Sequence, residues 1–215
     1  PTAAALASAR ECIEHAIERL QSLADRHATA ARCSLIGSAC KRLAMLEQRA
    51  GRAAAASAAL DAAARGYGQA EALAAAAGSS DLFYPGLNRM ALELVVHGGR
   101  KGWRGLDPAR TQAVRQSLAQ RTQTDPDVWS SIGQLDVELY EALAEGRLAA
   151  SLASLAAGYA NIHARLNANK AWRTVADQAR IVLGAVLART RGKEQAAAQA
   201  LLDQLLGYAR GPAGR

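Results

Sequence analysis

Apolar residues recur along this chain at three- and four-residue steps, the spacing that lines one face of an α-helix. Leu6, Ile13, Ile17, Leu20 and Ala24 form such a stripe opposite Glu and Arg positions and predict a first helix over 2–26. A second, over 29–50, carries Leu35, Ile36, Leu43 and Leu46 on its apolar stripe and stops at Gly51. The third, over 52–77, is nearly all Ala with Leu60, Tyr67 and Leu73 as larger knobs, and a fourth runs over 82–97. Gly98 to Gly105 reads as a basic, Gly-rich loop. Asp107-Pro108 and Asp125-Pro126 each pair an N-cap with Pro at the first helical position, and predict helices over 108–121 and 126–145. Helices over 147–166, 169–191 and 193–209 complete a set of about nine, and the tail 211–215 is expected to be disordered.

Composition strengthens the all-α reading. Half of the residues are hydrophobic but only 4% are aromatic, so the apolar mass is Ala and Leu. Alanine has the highest helix propensity, whereas a sheet would want β-branched and aromatic runs. No 18-residue apolar stretch offers a membrane span, and Arg10, Glu11, Glu14 and Glu18 break up the Ala-rich start, so it is not a signal-peptide core. Starting at Pro1, the chain reads as a piece of a longer protein, with residues 1–210 as a single helical array. Cys12, Cys33 and Cys40 are odd in number and lie on helical patterns, which favours free thiols in a reducing cytoplasm. Cys33 and Cys40 have no His or Cys partner at ligand spacing and read as small buried residues, so no metal and no cofactor is expected.

Within the helices a four-position frame repeats: a large residue, an apolar one three later, a small one next, and a packing residue three beyond. It occurs as Cys33-Ile36-Gly37-Cys40, Tyr84-Leu87-Asn88-Ala91, Trp129-Ile132-Gly133-Asp136 and Trp172-Val175-Ala176-Ala179. The small position lets a partner helix come close, and the large one fills the space beside it. Tyr67 with Ala70, and Tyr159 with Ile162, sit where the partner helices should supply packing groups. The frame predicts Trp129 and Trp172 to be buried.

The run Trp129-Ser-Ser-Ile-Gly-Gln-Leu-Asp136 resembles the first helix of a tetratricopeptide (TPR) unit. The segment from Leu35 to Ala44, with Tyr84-Pro-Gly-Leu-Asn88, is similar to TPR-type regions that accompany effector or signalling domains in bacterial multidomain proteins. A Tyr-x-x-x-Asn helix start of the same kind occurs in the TRAF-binding region of apoptosis signal-regulating kinases. The resemblance implies an α-solenoid of TPR-like antiparallel helix pairs, a regulatory scaffold and no catalytic residues. The frames begin at residues 33, 84, 129 and 172, wider apart than the ~34-residue TPR period. Asn88, at a small position, and Asp136, at a packing position, also depart from the consensus.

Nothing in the sequence forms a catalytic set. His15, His27, His97 and His163 are scattered, and neither a zinc-binding His pair, a nucleophile elbow nor a phosphate-binding Gly fingerprint occurs. The chain carries a formal net charge of +7, which suits an acidic partner and also fits an Arg- and Ala-rich coding bias. Counted from the frames, Ser34, Ser38, Lys41, Arg42, Pro85, Arg89, Ser130, Gln134, Arg173, Asp177 and Arg180 face one groove. Lys41, Arg42, Arg89, Gln134, Arg173 and Arg180 are the candidate contacts, on a basic lining suited to a protein partner or an acidic peptide. The alternative is nucleic-acid binding through this groove and the loop Arg100, Lys101, Trp103, Arg104, where cations flank a stacking surface.

Overall fold

The computed structural model describes residues 2–165 and 169–210, and among them nine α-helices and no strand are present. The helices are α1 (Ala3–Arg26), α2 (Ala30–Arg49), α3 (Ala53–Ala76), α4 (Phe83–His97), α5 (Pro108–Thr124), α6 (Val128–Ala144), α7 (Leu148–Arg165), α8 (Asn169–Leu187) and α9 (Gly192–Arg210). Most ends fall within two residues of the sequence expectation. The tail 211–215 and Leu166, the expected last residue of α7, lie outside the described residues.

Three ends differ, the end of α5 at Thr124, the start of α6 and the end of α8, each for a local reason. The chain enters α6 at Val128, because Asp127 and not Asp125 is the N-cap. The Asp127 carboxylate accepts the Ser130 amide at 2.7 Å, and the Ser130 hydroxyl lies 3.2 Å from the Asp127 amide, so two end groups satisfy each other. Asp125 instead closes α5, its amide donating to the Arg121 carbonyl. Helix α8 stops at Leu187, short of the expected 191: the Arg189 amide turns back to the Val186 carbonyl, a three-residue step that ends the helix. That turn aims the Arg189 guanidinium at the C-terminus of α4, where it donates to the carbonyls of Leu94 at 2.9 Å, Gly98 at 2.6 Å and Val95. The last carbonyls of a helix have no intrahelical donor, and a cation there also meets the negative end of the dipole.

The chain forms two compact units, Pro1–Arg89 and Met90–Arg215, with the division inside α4. In the first, α2 packs on α3 and α1 packs on α2. The short Ala50–Arg52 turn makes α2 and α3 antiparallel. Their backbones meet at glycines: a Cβ added to Gly66 would lie 2.9 Å from the Gly37 nitrogen, and one added to Gly37 would lie 2.8 Å from the Tyr67 ring. Glycine is the residue that allows this approach, and Tyr67 and Ala63 fill the space around it, both fully buried. One charge is also buried here. Glu47 on α2 is 1% exposed and pairs with Arg52 at the start of α3 and with Arg10 of α1 at 3.2 Å. It ties the three helices together.

The second unit pairs α6 with α7 and α8 with α9, and α7 also packs on α9. Gly158 approaches the Leu135 side chain so closely that an added Cβ would lie 2.6 Å from it. Trp172, Tyr140 and Tyr159 are the largest fully buried side chains. Trp172 meets His163 and Tyr208 edge-on, with ring centroids 5.2 and 5.0 Å away.

The four-position frame places its small residue correctly each time: Gly37, Asn88, Gly133 and Ala176 are all buried. Its large position is less uniform. Cys33 and Trp172 are buried, but Tyr84 is 45% exposed and Trp129 is 40% exposed, contrary to the expectation for Trp129. At the start of α6 the capping Ser130 is fully buried, and its neighbour Trp129 faces outward. The two consensus departures have a common cause, since both residues accept hydrogen bonds from a long side chain. Asn88 Oδ1 accepts from Lys41 Nζ at 2.6 Å, and Asp136 Oδ1 accepts from the Tyr159 hydroxyl at 2.6 Å.

Trp172→Ala is expected to cost ~3–5 kcal/mol in denaturant unfolding, the usual loss for a buried Trp, and Trp129→Ala less than ~1 kcal/mol. Equal losses would contradict the burial pattern. A pH test bears on Glu47, whose carboxyl is held below the usual carboxylate range, first by the hydrogen bond from Arg52. The folded chain then binds that proton more weakly than the unfolded one. Its stabilisation is therefore complete above the unfolded value, ~4.3, and is lost as the pH falls through the folded value. Glu47→Gln should flatten the acid limb of the stability–pH curve, and an unchanged limb would rule out this pairing.

Candidate partner-binding site

Leu35, Ser38 and Arg42 follow at steps of three and four along α2 and so share one helix face. The core side of α2 is taken up by Cys33, Gly37, Cys40 and Ala44, which leaves this face to solvent. Leu35 is 54% exposed, although the sequence placed it on the apolar stripe; Gly37 and Cys40 are on the true stripe, on the far side of the helix from it. Arg42 is exposed and has no ion pair with a described residue.

Beside Arg42 lies a polar cluster shared by α2, α3 and the first turns of α4. The Ser38 hydroxyl is 2.8 Å from the Tyr67 hydroxyl and 3.1 Å from that of Tyr84. Lys41 donates to Asn88, its ammonium lying 5.7 Å from the centroid of the Tyr67 ring, while the Asn88 amide donates to the Tyr84 carbonyl at 2.9 Å. Asn88 is thereby oriented with its oxygen toward the cation. Burial pushes the Tyr67 hydroxyl well above the usual tyrosine value, and neighbouring Tyr84 adds to the shift. Tyr67 therefore keeps its proton at neutral pH, and the cluster sets hydroxyls and an amide next to two cations. It can donate hydrogen bonds and neutralise an anion, but it holds no nucleophile–base pair.

The remaining groove candidates fare differently. Ser34, Pro85 and Ser130 are buried and line no surface. Arg89 is half-buried against α3, paired with Glu71 at 2.5 Å and lying over Gly68, so its charge is already met. In the second unit Gln134 is exposed and donates to Thr122 at 3.2 Å, and Arg180 pairs with Asp177 at 2.6 Å. Arg173 is exposed, with no ion pair to a described residue. The expectation of cations without acidic neighbours therefore holds for Arg42 and Arg173, and not for Arg89 and Arg180.

The basic loop is less open than its sequence implies. Arg100, Lys101 and Arg104 are exposed, but Trp103 is half-buried with its indole nitrogen 3.5 Å from Glu93, which also pairs with Arg110 at 3.0 Å. The indole borders a cleft of about 610 Å³ in which Arg104 and Arg115 are offset by Glu141 and Glu145. Arg115 and Glu141 pair at 2.5 Å, so the cleft has no excess of either charge.

Among the described residues no group of three or more His, Cys, Asp or Glu is arranged to hold a metal ion. All three cysteines are free, and burial pushes the Cys33 and Cys40 thiols up, away from the reactive thiolate. No described helix is long and apolar enough to cross a membrane.

Leu35 and Tyr84 are the site residues that the sequence reading assigned to packing. The only available signal was weak: Leu35 lies three before Ser38 and seven before Arg42, a polar face that the Ala-rich surroundings obscure.

Residues 2–93 match the model of the Tetratricopeptide Repeats-Sensor family. No curated protein and no solved structure gives a match. The matched segment spans α1 to α3 and most of α4, and so includes the whole of the α2–α4 cluster. The chain thus carries a TPR-like helical region built of antiparallel helix pairs.

An alkaline titration followed at the phenolate absorbance band would check the burial of the cluster. Tyr67 and Tyr159 are both raised by burial and by neighbouring groups, and should stay protonated while the fold persists. The sign follows: their contribution is complete below the unfolded value of ~10 and is lost as the pH rises from there toward the folded values. Five tyrosines ionising together near pH ~10 without unfolding would contradict it.

Proposed function

We propose that this chain is a non-catalytic protein-interaction scaffold that holds an acidic segment of a partner protein on the exposed face of α2 in its first unit. The observation that carries the reading is the placement of Lys41 and Arg42 beside the hydroxyls of Ser38 and Tyr84 and the amide of Asn88. A guanidinium offers a forked donor pair that fits a carboxylate, and an ammonium nearby adds charge without fixing direction. The TPR-like match over residues 2–93 supports the same reading, because repeats of stacked helix pairs present helix faces to protein partners. Arg89 contributes here as a brace between α4 and α3 through Glu71. In the second unit Gln134 and Arg180 are already engaged by Thr122 and Asp177, which leaves Arg173 as the candidate there without an ion pair to a described residue. We place the scaffold in the cytoplasm, as the regulatory part of a larger protein. The free thiols of Cys12, Cys33 and Cys40 fit that compartment.

The test uses a fluorescein-labelled peptide of alternating Glu and Ser, with an oligo-uridine strand as the competing probe. Peptide binding should weaken about tenfold or more in Arg42→Glu, while the stability stays within ~0.5 kcal/mol, because the side chain is on the surface. Binding that is indifferent to Arg42→Glu would overturn the proposal. Steeply salt-dependent capture of the oligo-uridine, lost on neutralising Arg100, Lys101 and Arg104, would move the function to the loop.

A further inference from the structure

We infer that the same α2 face reads two features of its partner at once: a carboxylate at Arg42 and Lys41, and an apolar side chain at Leu35 and Tyr84. This rests on the scaffold reading above and specifies the partner as a segment with an acidic and an apolar residue a short fixed distance apart. The argument begins with exposure. Four large hydrophobic side chains are exposed among the described residues: Leu23, Leu35, Tyr84 and Trp129. Two of them flank Ser38. Leu35 is one helical turn before it on α2, and Tyr84 reaches it from α4 with a hydroxyl contact of 3.1 Å.

Tyr84 is held for this role and does not simply project. Its hydroxyl is bound to Ser38, its carbonyl accepts from Asn88, and its ring meets the buried Tyr67 ring edge-on at 6.3 Å between centroids. Leu35 and the ordered Tyr84 therefore offer apolar surface to either side of Ser38, against which an apolar side chain of a partner can settle. Charge complementarity decides the occupant. Arg42, one turn beyond Ser38 on the same helix face, is exposed and without an ion pair to a described residue, so an apolar ligand with an acidic neighbour is favoured over a neutral or basic one.

Helix geometry sets the spacing. Leu35 and Arg42 are seven residues apart on one helix, ~10 Å along its axis. An extended segment covers ~3.3 Å per residue, so the apolar and acidic residues of the partner should stand about three positions apart.

The test is selection of a displayed library of random twelve-residue peptides on the full chain, repeated with Arg42→Glu and with Leu35→Ser. The expected result is enrichment of peptides with an aliphatic or aromatic residue about three positions from Asp or Glu. Peptides resynthesised from that pool should bind Arg42→Glu and Leu35→Ser each about tenfold more weakly, and Leu35→Ser should leave the acidic preference in its own selected pool. Enrichment of acidic peptides with no fixed apolar position, and with no loss in Leu35→Ser, overturns this inference and leaves the scaffold reading intact. Selection that yields no enriched peptides, or pools that ignore both substitutions, overturns both.

Discussion

The approach of α2 to α3 at Gly37 and Gly66 is the constraint from which the rest of the first unit follows. With no side chain at either position the two backbones come into contact, and Tyr67 is laid flat against Gly37. A methyl group on Gly66 would meet backbone, which cannot rotate away as a flexible side chain can. The same closeness fixes where the Tyr67 hydroxyl emerges, and it emerges at Ser38. From Ser38 the hydrogen bonds continue to Tyr84, and Tyr84 in turn anchors Asn88 and, through it, Lys41. The polar cluster on the surface is thus positioned by a contact made in the core.

Charge follows a comparable economy. The sequence has 26 basic and 19 acidic residues, and many of the cations are committed to a neighbouring helix. Arg52 and Arg10 hold Glu47, Arg89 holds Glu71, Arg110 holds Glu93 and Arg115 holds Glu141. Arg189 is committed to three carbonyls at the end of α4. These pairs brace neighbouring helices. An Arg on this background is thus often a strut, and among the candidate contacts Arg42 and Arg173, with the loop cations, are exposed and have no ion pair to a described residue.

The division of labour between sequence and tertiary structure is clearest at particular residues. Helix type and extent were legible because periodicity, Gly stops and Asp caps are local signals, decided within one or two turns. The one misplaced start, at α6, arose because two local signals competed. Asp125-Pro126 looked like the stronger, but Asp127 and Ser130 satisfy each other's end groups and prevail. The small position of each frame was also legible, since only a small or hydrogen-bonded residue tolerates a close helix crossing.

The site was legible in its charges and not in its partners. Lys41, Arg42 and Arg89 could be picked out by counting from the frame, but counting cannot show that Glu71, eighteen residues earlier, reaches Arg89. Nor could it show that Tyr84, at a packing position, turns half outward beside Ser38. The rotation of a helix about its axis depends on what its neighbours offer, and those neighbours are remote in sequence. By itself the sequence determined which segments are helices and where they can come close. Only the tertiary structure decided which cations are spent on carboxylates and which face of α2 is left to solvent, because both are set by contacts between helices and not within them.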